Sequence, residues 1–354
     1  MKKHNFSAGP CILPQEVFGK ASEAILDLDQ SGLSILEISH RSKAFVDILE
    51  EARALSLELL GLENKGYQAL FLQGGASLQF YMSAVNMLEK KGAYLDTGSW
   101  SAKAIKEAKL LGEVDVLASS SDKNYNYIPK DYKISSDADY FHCTTNNTIF
   151  GTQIKNFPKS DIPVVCDMSS DIFSRDIDFS YFDVIYAGAQ KNMGPAGTTL
   201  VVVKEDVLGK VSRDIPTMLD YKTHISKKSA YNTPAVYAVY VSLLTMKWLK
   251  EQGGIKAIQE ENEKKAKLMY SEIDINPLFD GFAAKEDRST MNATFTLNKP
   301  ELKDTFEKML ADAGINGLNG HRSVGGYRAS MYNALPLQSV QVLVEVMDEL
   351  ETKA

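Results

Sequence analysis

"VIYAGAQKNMGPAGTTLVVV", residues 184–203, sets two apolar runs on either side of a short link that holds one lysine, two glycines and a proline. Apolar runs of this length, bounded by turn residues and lacking polar alternation, fit strands buried on both faces. Lys191 stands where the first run ends. In a chain with 32 lysines, a lysine at such a rim is ordinarily a surface residue that lays its stem along apolar neighbours. Whether Lys191 does more depends on what the rest of the chain places beside it.

The same texture recurs upstream: "QALFL" (68–72), "GAYLD" (92–96), "EVDVLA" (113–118), "DYFHCT" (139–144) and "VVCDM" (164–168). Helix-period stretches such as "SLQFYMSAVNMLEKK" (77–91) and "SAKAIKEAKLLG" (101–112) separate several of them. Strands alternating with helices predict an α/β core with a mostly parallel sheet covered by helices. The most apolar segment, "AVYAVYVSLLTMKWL" (235–249), falls short of the roughly 20 residues that span a bilayer. It also carries Ser242, Thr245 and Lys247, and reads as a buried helix.

A charged helix, "GGIKAIQEENEKKAKLMYSEI" (253–273), then leads into a smaller unit. That unit has a strand "NATFTL" (292–297), a helix opening at Pro300 and a glycine-rich turn "GINGLNGHRSVGG" (314–326). A strand "YRASMYN" (327–333) and a closing helix from about Pro336 complete it. The expected division is an N-terminal segment (1–15), a large domain (16–255) and a small C-terminal α/β domain (256–354).

A net charge of −7 with no basic patch in any window argues against a nucleic-acid partner. Three widely spaced cysteines, Cys11, Cys143 and Cys166, form neither a disulfide framework nor a metal-ligand pattern. The opening "MKKHNFSAGP" has no apolar stretch behind its lysines, unlike a signal peptide. A cytoplasmic protein without a metal and without a membrane segment is expected.

In open α/β sheets ligands gather at the carboxyl ends of the strands. Three such ends hold polar residues. In "FLQGGASLQF" two glycines and small residues open a helix, so the backbone at Ala76 and Ser77 could cradle a phosphate, or form a plain tight turn. In "VVCDMSS", Asp167 is either a helix N-cap or a buried counter-charge for something cationic. The third end is Lys191, which desolvation would make nucleophilic enough to form a Schiff base. An acid for a pyridinium nitrogen, a lysine amine and a phosphate cup are together what pyridoxal phosphate requires.

Only seven arginines accompany the 32 lysines, so each is a candidate for planar recognition of carboxylate or phosphate. Two follow histidines directly, in "SHRSK" (His40, Arg41) and "GHRSVGGYR" (His321, Arg322), and Arg328 comes six residues after Arg322. Such a set suits a substrate with both a phosphate and a carboxylate. The other four arginines read as helix or loop surface.

At this point the chain resembles, nearly end to end, the phosphoserine aminotransferase family. Those proteins are fold-type-I pyridoxal-phosphate enzymes of the class V aminotransferase group. "NFSAGPCILP", "ISHRSK", "DMSSD", "YAGAQKNMGPAG", "YNTPAVYA" and "GHRSVGGYRASMYNALP" carry the resemblance, in the family's order. It implies that Lys191 is the Schiff-base lysine and Asp167 the acid paired with the pyridinium nitrogen. Trp100 would stack on the cofactor ring and Thr148 bond its phenolic oxygen. Ala76, Ser77 and Gln190 would hold the cofactor phosphate, with Asn232 and Thr233 contributed by the other subunit of a homodimer. His40, Arg41, His321 and Arg322 would grip the substrate phosphate, and Arg328 its carboxylate. One departure stands out: "QGGASLQF" lacks the third glycine and the arginine that many members carry there.

The implied reaction is a ping-pong amino transfer from L-glutamate to 3-phosphohydroxypyruvate, giving 2-oxoglutarate and O-phospho-L-serine in L-serine biosynthesis. The sequence leaves open whether 4-phosphooxy-L-threonine is also formed, for pyridoxine biosynthesis. The alternative within enzymes is another class V activity, such as an alanine–glyoxylate type transaminase. A desulfurase would need a cysteine on a mobile loop, which none of the three offers. A non-catalytic protein that has kept the fold is the alternative outside enzymes.

Overall fold

The computed structural model describes residues 3–354. Numbered in chain order, it begins with β1 (His4–Asn5), α1 (Gln15–Leu26), α2 (Lys43–Leu59), β2 (Tyr67–Leu72), α3 (Gly75–Met87), β3 (Lys91–Asp96), α4 (Ser99–Ala108) and β4 (Glu113–Ser119). The middle of the chain supplies β5 (Tyr140–Thr144), β6 (Asn146–Asn147), β7 (Thr152–Gln153), β8 (Val164–Asp167), β9 (Val184–Gly188), β10 (Thr199–Lys204), α5 (Tyr221–Ser226) and α6 (Val236–Glu251). The remainder forms α7 (Gly254–Ile275), β11 (Phe279–Gly281), β12 (Asn292–Leu297), α8 (Lys303–Asp312), β13 (Ile315–Asn316), β14 (Tyr327–Ser330) and α9 (Leu337–Lys353).

The seven apolar runs read from the sequence form one sheet in the order β2-β10-β9-β8-β5-β3-β4. Strand β10 runs antiparallel to both β2 and β9, and the other pairings are parallel. Pleating sends Phe141, Cys143, Cys166 and Ile185 into the core shared with α2 and α6, and Tyr94, Val165 and Tyr186 into the core under α3 and α4. Both faces of the inner strands are therefore buried, which is why their runs lack alternation; the edge strand β4, with Glu113 and Asp115, is only partly covered. Because β4 and β5 lie on opposite sides of β3, the strand order reverses there and opens a crevice at the carboxyl ends.

Helix α3 starts two residues before the sequence expectation. Gly74 caps it at φ +94°, and a Cβ there would stand 2.5 Å from Leu78, so glycine is needed on both counts. Helix α2 is capped by Ser42 and buries Phe45, Leu49, Ala52 and Leu55. Arg53 on that helix corrects the surface reading. It is 8% exposed, and its Nε donates to Ala69 O at 2.8 Å while Nη2 donates to Gln68 Oε1 at 3.0 Å. The helix lies against strand β2 at the sheet edge, and the guanidinium satisfies groups that a shorter side chain would not reach.

A second apolar cluster surrounds the antiparallel sheet β11-β12-β14. Helix α7 serves both clusters, with Ile255 and Ile258 in the larger and Ala266, Met269 and Ile273 in the smaller. Pro300 opens a short 3₁₀ turn that leads into α8. The strand expected over 327–333 ends at Ser330, because Met331–Asn333 turn away into hydrogen bonds with other elements. The chain start crosses between the clusters: β1 pairs with β13, Phe6 and Ile12 join the smaller cluster, and α1 packs Val17 and Ala21 against α6.

Candidate active site

The carboxyl ends of β3, β5, β8 and β9 open onto a cavity of about 320 Å³. Lys191, three residues past β9, reaches it with Nζ donating to Thr148 Oγ1 at 2.9 Å. Burial pulls the amine's pKa down to about 8, with Asp167 opposing and Arg328 reinforcing that shift. The backbone around Lys191 is held from outside the sheet: Cys11 N donates to Gln190 O at 3.2 Å and Cys11 Sγ to Lys191 O at 2.6 Å.

Asp167, the last residue of β8, is 4% exposed. Its Oδ1 accepts from Ser169 N at 2.9 Å, so it caps a turn and not a helix, since none starts directly after it, and no cation pairs with it among the described residues. Burial raises its pKa, while Ser169 and Lys191 act in the other direction. A buried carboxylate in this state is poised to meet a cationic N–H in the cavity.

Three further groups complete the wall. Gly75, Ala76 and Ser77 form the first turn of α3, where N–H groups have no intrahelical acceptor and the helix dipole favours an anion. Trp100, in the first turn of α4, lies with its ring centroid 5.8 Å from Lys191 Nζ, and its Nε1 is buried without a partner. Gln190 lines the cavity beside Lys191.

Arg328 on β14 enters from the smaller cluster. Its Nη1 donates to Thr148 O at 3.2 Å, and its Nε is buried without a partner. His321 also lines the cavity, with Nδ1 against Ser323 Oγ at 2.7 Å. Burial, Arg328 and Arg322 all lower its pKa.

Five expected residues do not line this cavity. Arg322 borders a neighbouring crevice beside Lys303 and Tyr327. His40 and Arg41 sit in the connection between α1 and α2, where Arg41 Nε donates to His40 Nε2 at 3.4 Å. Asn232 donates to Gln73 Oε1 at 2.8 Å, and Thr233 O accepts from Gln73 Nε2, so both stand just outside the start of α3.

Sequence reasoning missed Ala8, Gly9, Thr144, Asn146, Ser169 and Ser170, all of which line the cavity. Ser169 and Ser170 lie two and three residues past Asp167, and that proximity was a usable signal. Nothing local marks Ala8 and Gly9, which arrive from the chain start.

A lowered-pKa amine, a buried carboxylate, an aromatic face and an anion-ready helix start thus converge on one space. The aminotransferase class-V family model matches residues 3–343, and the chain belongs to that family. Within it, the chain is 69% identical to the phosphoserine aminotransferase of Flavobacterium psychrophilum, with all of both chains covered. The phosphoserine aminotransferase structure from Bacillus circulans subsp. alkalophilus superposes with a TM-score of 0.96 at 44% identity, covering 99% of each chain. The structure of the pyridoxal-phosphate-bound phosphoserine aminotransferase from Trichomonas vaginalis gives 0.93 at 36% identity, over 98% of this chain and 100% of that one. The chain is a fold-type-I enzyme of the aminotransferase type.

Proposed function

We propose that this chain moves an amino group between L-glutamate and 3-phosphohydroxypyruvate, producing 2-oxoglutarate and O-phospho-L-serine, with pyridoxal 5′-phosphate as cofactor. The observation that carries this reading is that Lys191 and Asp167 face one cavity with Arg328 and the start of α3. The residues fit the cofactor. Asp167 would hold a proton at its ring nitrogen, the N–H groups at Ala76 and Ser77 its phosphate, and Trp100 one face of its ring. When bound, pyridoxal phosphate supplies the electron sink for the amino acid's α-carbon.

The chain's own groups do the rest. Lys191 Nζ, part neutral near pH 8, takes the proton from the substrate α-carbon. Arg328 offers a planar fork to the α-carboxylate common to both substrates. Its carbonyl partner Thr148 also steadies Lys191, which sets the amine and the carboxylate site at a fixed separation. His321 and Arg322 would meet the substrate's phosphate or glutamate's distal carboxylate; His40 and Arg41, which lie away from this chain's own cavity, would do so from a second copy.

The enzyme would work as a homodimer in the cytoplasm, with Asn232 and Thr233 of each copy completing the neighbour's phosphate site. Exposed Leu33, Leu36 and Val46 bracket His40 and Arg41, as expected of a surface that a second copy covers. Residues 16–255 and 256–354 would form the two domains, with α7 as the shared element.

The test is an absorption spectrum of the purified chain with pyridoxal phosphate. A visible band that L-glutamate removes and 3-phosphohydroxypyruvate restores, absent in Lys191→Ala, is the expected result. A band indifferent to L-glutamate would reject the substrate pair.

A further inference from the structure

Asn333 is 6% exposed and follows the strand that carries Arg328. Its backbone N–H donates to Asn192 Oδ1 at 3.0 Å, and its Nδ2 donates to Phe173 O at 3.0 Å. Its Oδ1 accepts from Asn262 Nδ2, on α7, at 2.9 Å. These contacts join three pieces of chain that hold functional groups. Asn192 is the residue after Lys191. Phe173 ends the turn that begins at Asp167, a turn tied back to Met168 O by Asp171 N and Ile172 N. Asn333 itself lies five residues beyond Arg328.

The turn needs such an anchor. Phe173 is 1% exposed and sits at φ +58°, a left-handed conformation that is unfavourable for a bulky side chain. It persists only where surrounding bonds over-determine it. Asn333 Nδ2 holds its carbonyl, and Asn262 Nδ2 holds the next one, Ser174 O, at 3.1 Å. On the other side, Lys265 Nζ fixes Met331 O at 3.1 Å and Tyr332 O at 2.8 Å. The segment bearing Asn333 is thereby clamped to α7 before it reaches toward Lys191.

We propose that Asn333 is a positioning residue that sets Lys191 and Asp167 relative to Arg328. It touches no reacting atom and acts through Asn192 and the Phe173 turn. A deviation of about 1 Å at such a distance costs as much as 100-fold in rate, so a single amide can matter without entering the cavity. This inference rests on the proposed amino transfer.

The experiment compares Asn333→Ala and Asn333→Asp with Asn276→Ala in the full-length protein. Asn276 is a buried amide of the same domain, bonded to Glu272 Oε1 at 2.7 Å and Met347 O at 3.1 Å, with no link to the site. Three quantities are read: the melting temperature, the rate of amino transfer, and the pH midpoint at which Lys191 of cofactor-free protein is acylated. All three variants should melt earlier. Only the Asn333 variants should lose about tenfold or more in kcat with a smaller change in KM, and only they should shift the Lys191 midpoint. Equal kcat and equal midpoints in all three would overturn the proposal, as would failure of both Asn333 variants to fold where Asn276→Ala folds. A parent protein that transfers no amino group would instead reject the proposed function, and the acylation midpoint would still decide whether Asn333 positions Lys191.

Discussion

Lys191 Nζ donates to Thr148 Oγ1 at 2.9 Å, and the carbonyl of the same threonine receives Arg328. One residue therefore sets the amine against the arginine.

The first prediction concerns the amine itself. Burial leaves Lys191 with a pKa of about 8, so uptake of pyridoxal phosphate by the cofactor-free chain should accelerate through pH 8 and not through the ordinary lysine range. An oxygen that accepts from the ammonium favours the charged form. Thr148→Val should therefore move the midpoint lower, which stopped-flow absorbance across a pH series would reveal.

In the proposed function, Asp167 serves the reaction at the expense of folding. Because burial raises its pKa, the folded carboxylate holds its proton more tightly than the unfolded one. Its stability contribution is present at low pH and lost as pH rises through the folded value. At neutral pH, Asp167→Asn should melt later than the parent without cofactor, yet transfer amino groups about 100-fold or more slowly. An earlier melting point would contradict the burial argument.

Lys265 titrates in a different sense. Burial depresses its pKa to about 7, so between pH 7 and the ordinary lysine range the unfolded chain binds one proton more than the folded chain. Stability must rise with pH across that window, by up to about 1.4 kcal/mol per unit. Lys265→Met should remove this slope. Urea midpoints at pH 7 and pH 9.5 for parent and variant would measure it, the difference cancelling other lysines.

Arg328 should govern affinity for both substrates alike. Arg328→Lys keeps the charge but loses the planar fork, and kcat/KM for L-glutamate and for 3-phosphohydroxypyruvate should fall together, by about tenfold or more. A loss confined to the phosphorylated substrate would move Arg328 to the phosphate site.

Complementation tests the shared site. If the proposed sharing holds, mixed dimers of Lys191→Ala and Asn232→Ala contain one cavity with its own Lys191 and the neighbour's Asn232 intact. Mixing two nearly inactive proteins should restore activity in a species of twice the 39.2 kDa chain mass. No recovery after verified exchange would put Asn232 back in its own chain.

The sheet was legible because its strands, apart from the edge strand β4, are largely apolar on both faces; Lys191 and Asp167 stood out as charges near strand ends. The direction of β10 was not legible, since "TTLVVV" reads alike in either orientation. Trp100 and Thr148 carried no local signal and depended on resemblance. Asn333 was hidden for a physical reason: an asparagine after a strand looks like any turn residue, and its three partners lie 71 to 160 residues away in sequence. Arg53 was misread because a helical arginine near Glu50 resembles a surface pair, while its reach to Ala69 O depends on packing.

The pairing of His4 with Ile315 orders events during synthesis. At about 5–20 residues per second, Ile315 leaves the ribosome roughly 15 to 60 s after His4. Phe6, Ile12 and the cavity wall at Ala8 and Gly9 are thus made long before the segments they pack against. The cavity is sealed by an early-made segment, and only once a segment made about 300 residues later exists to hold it.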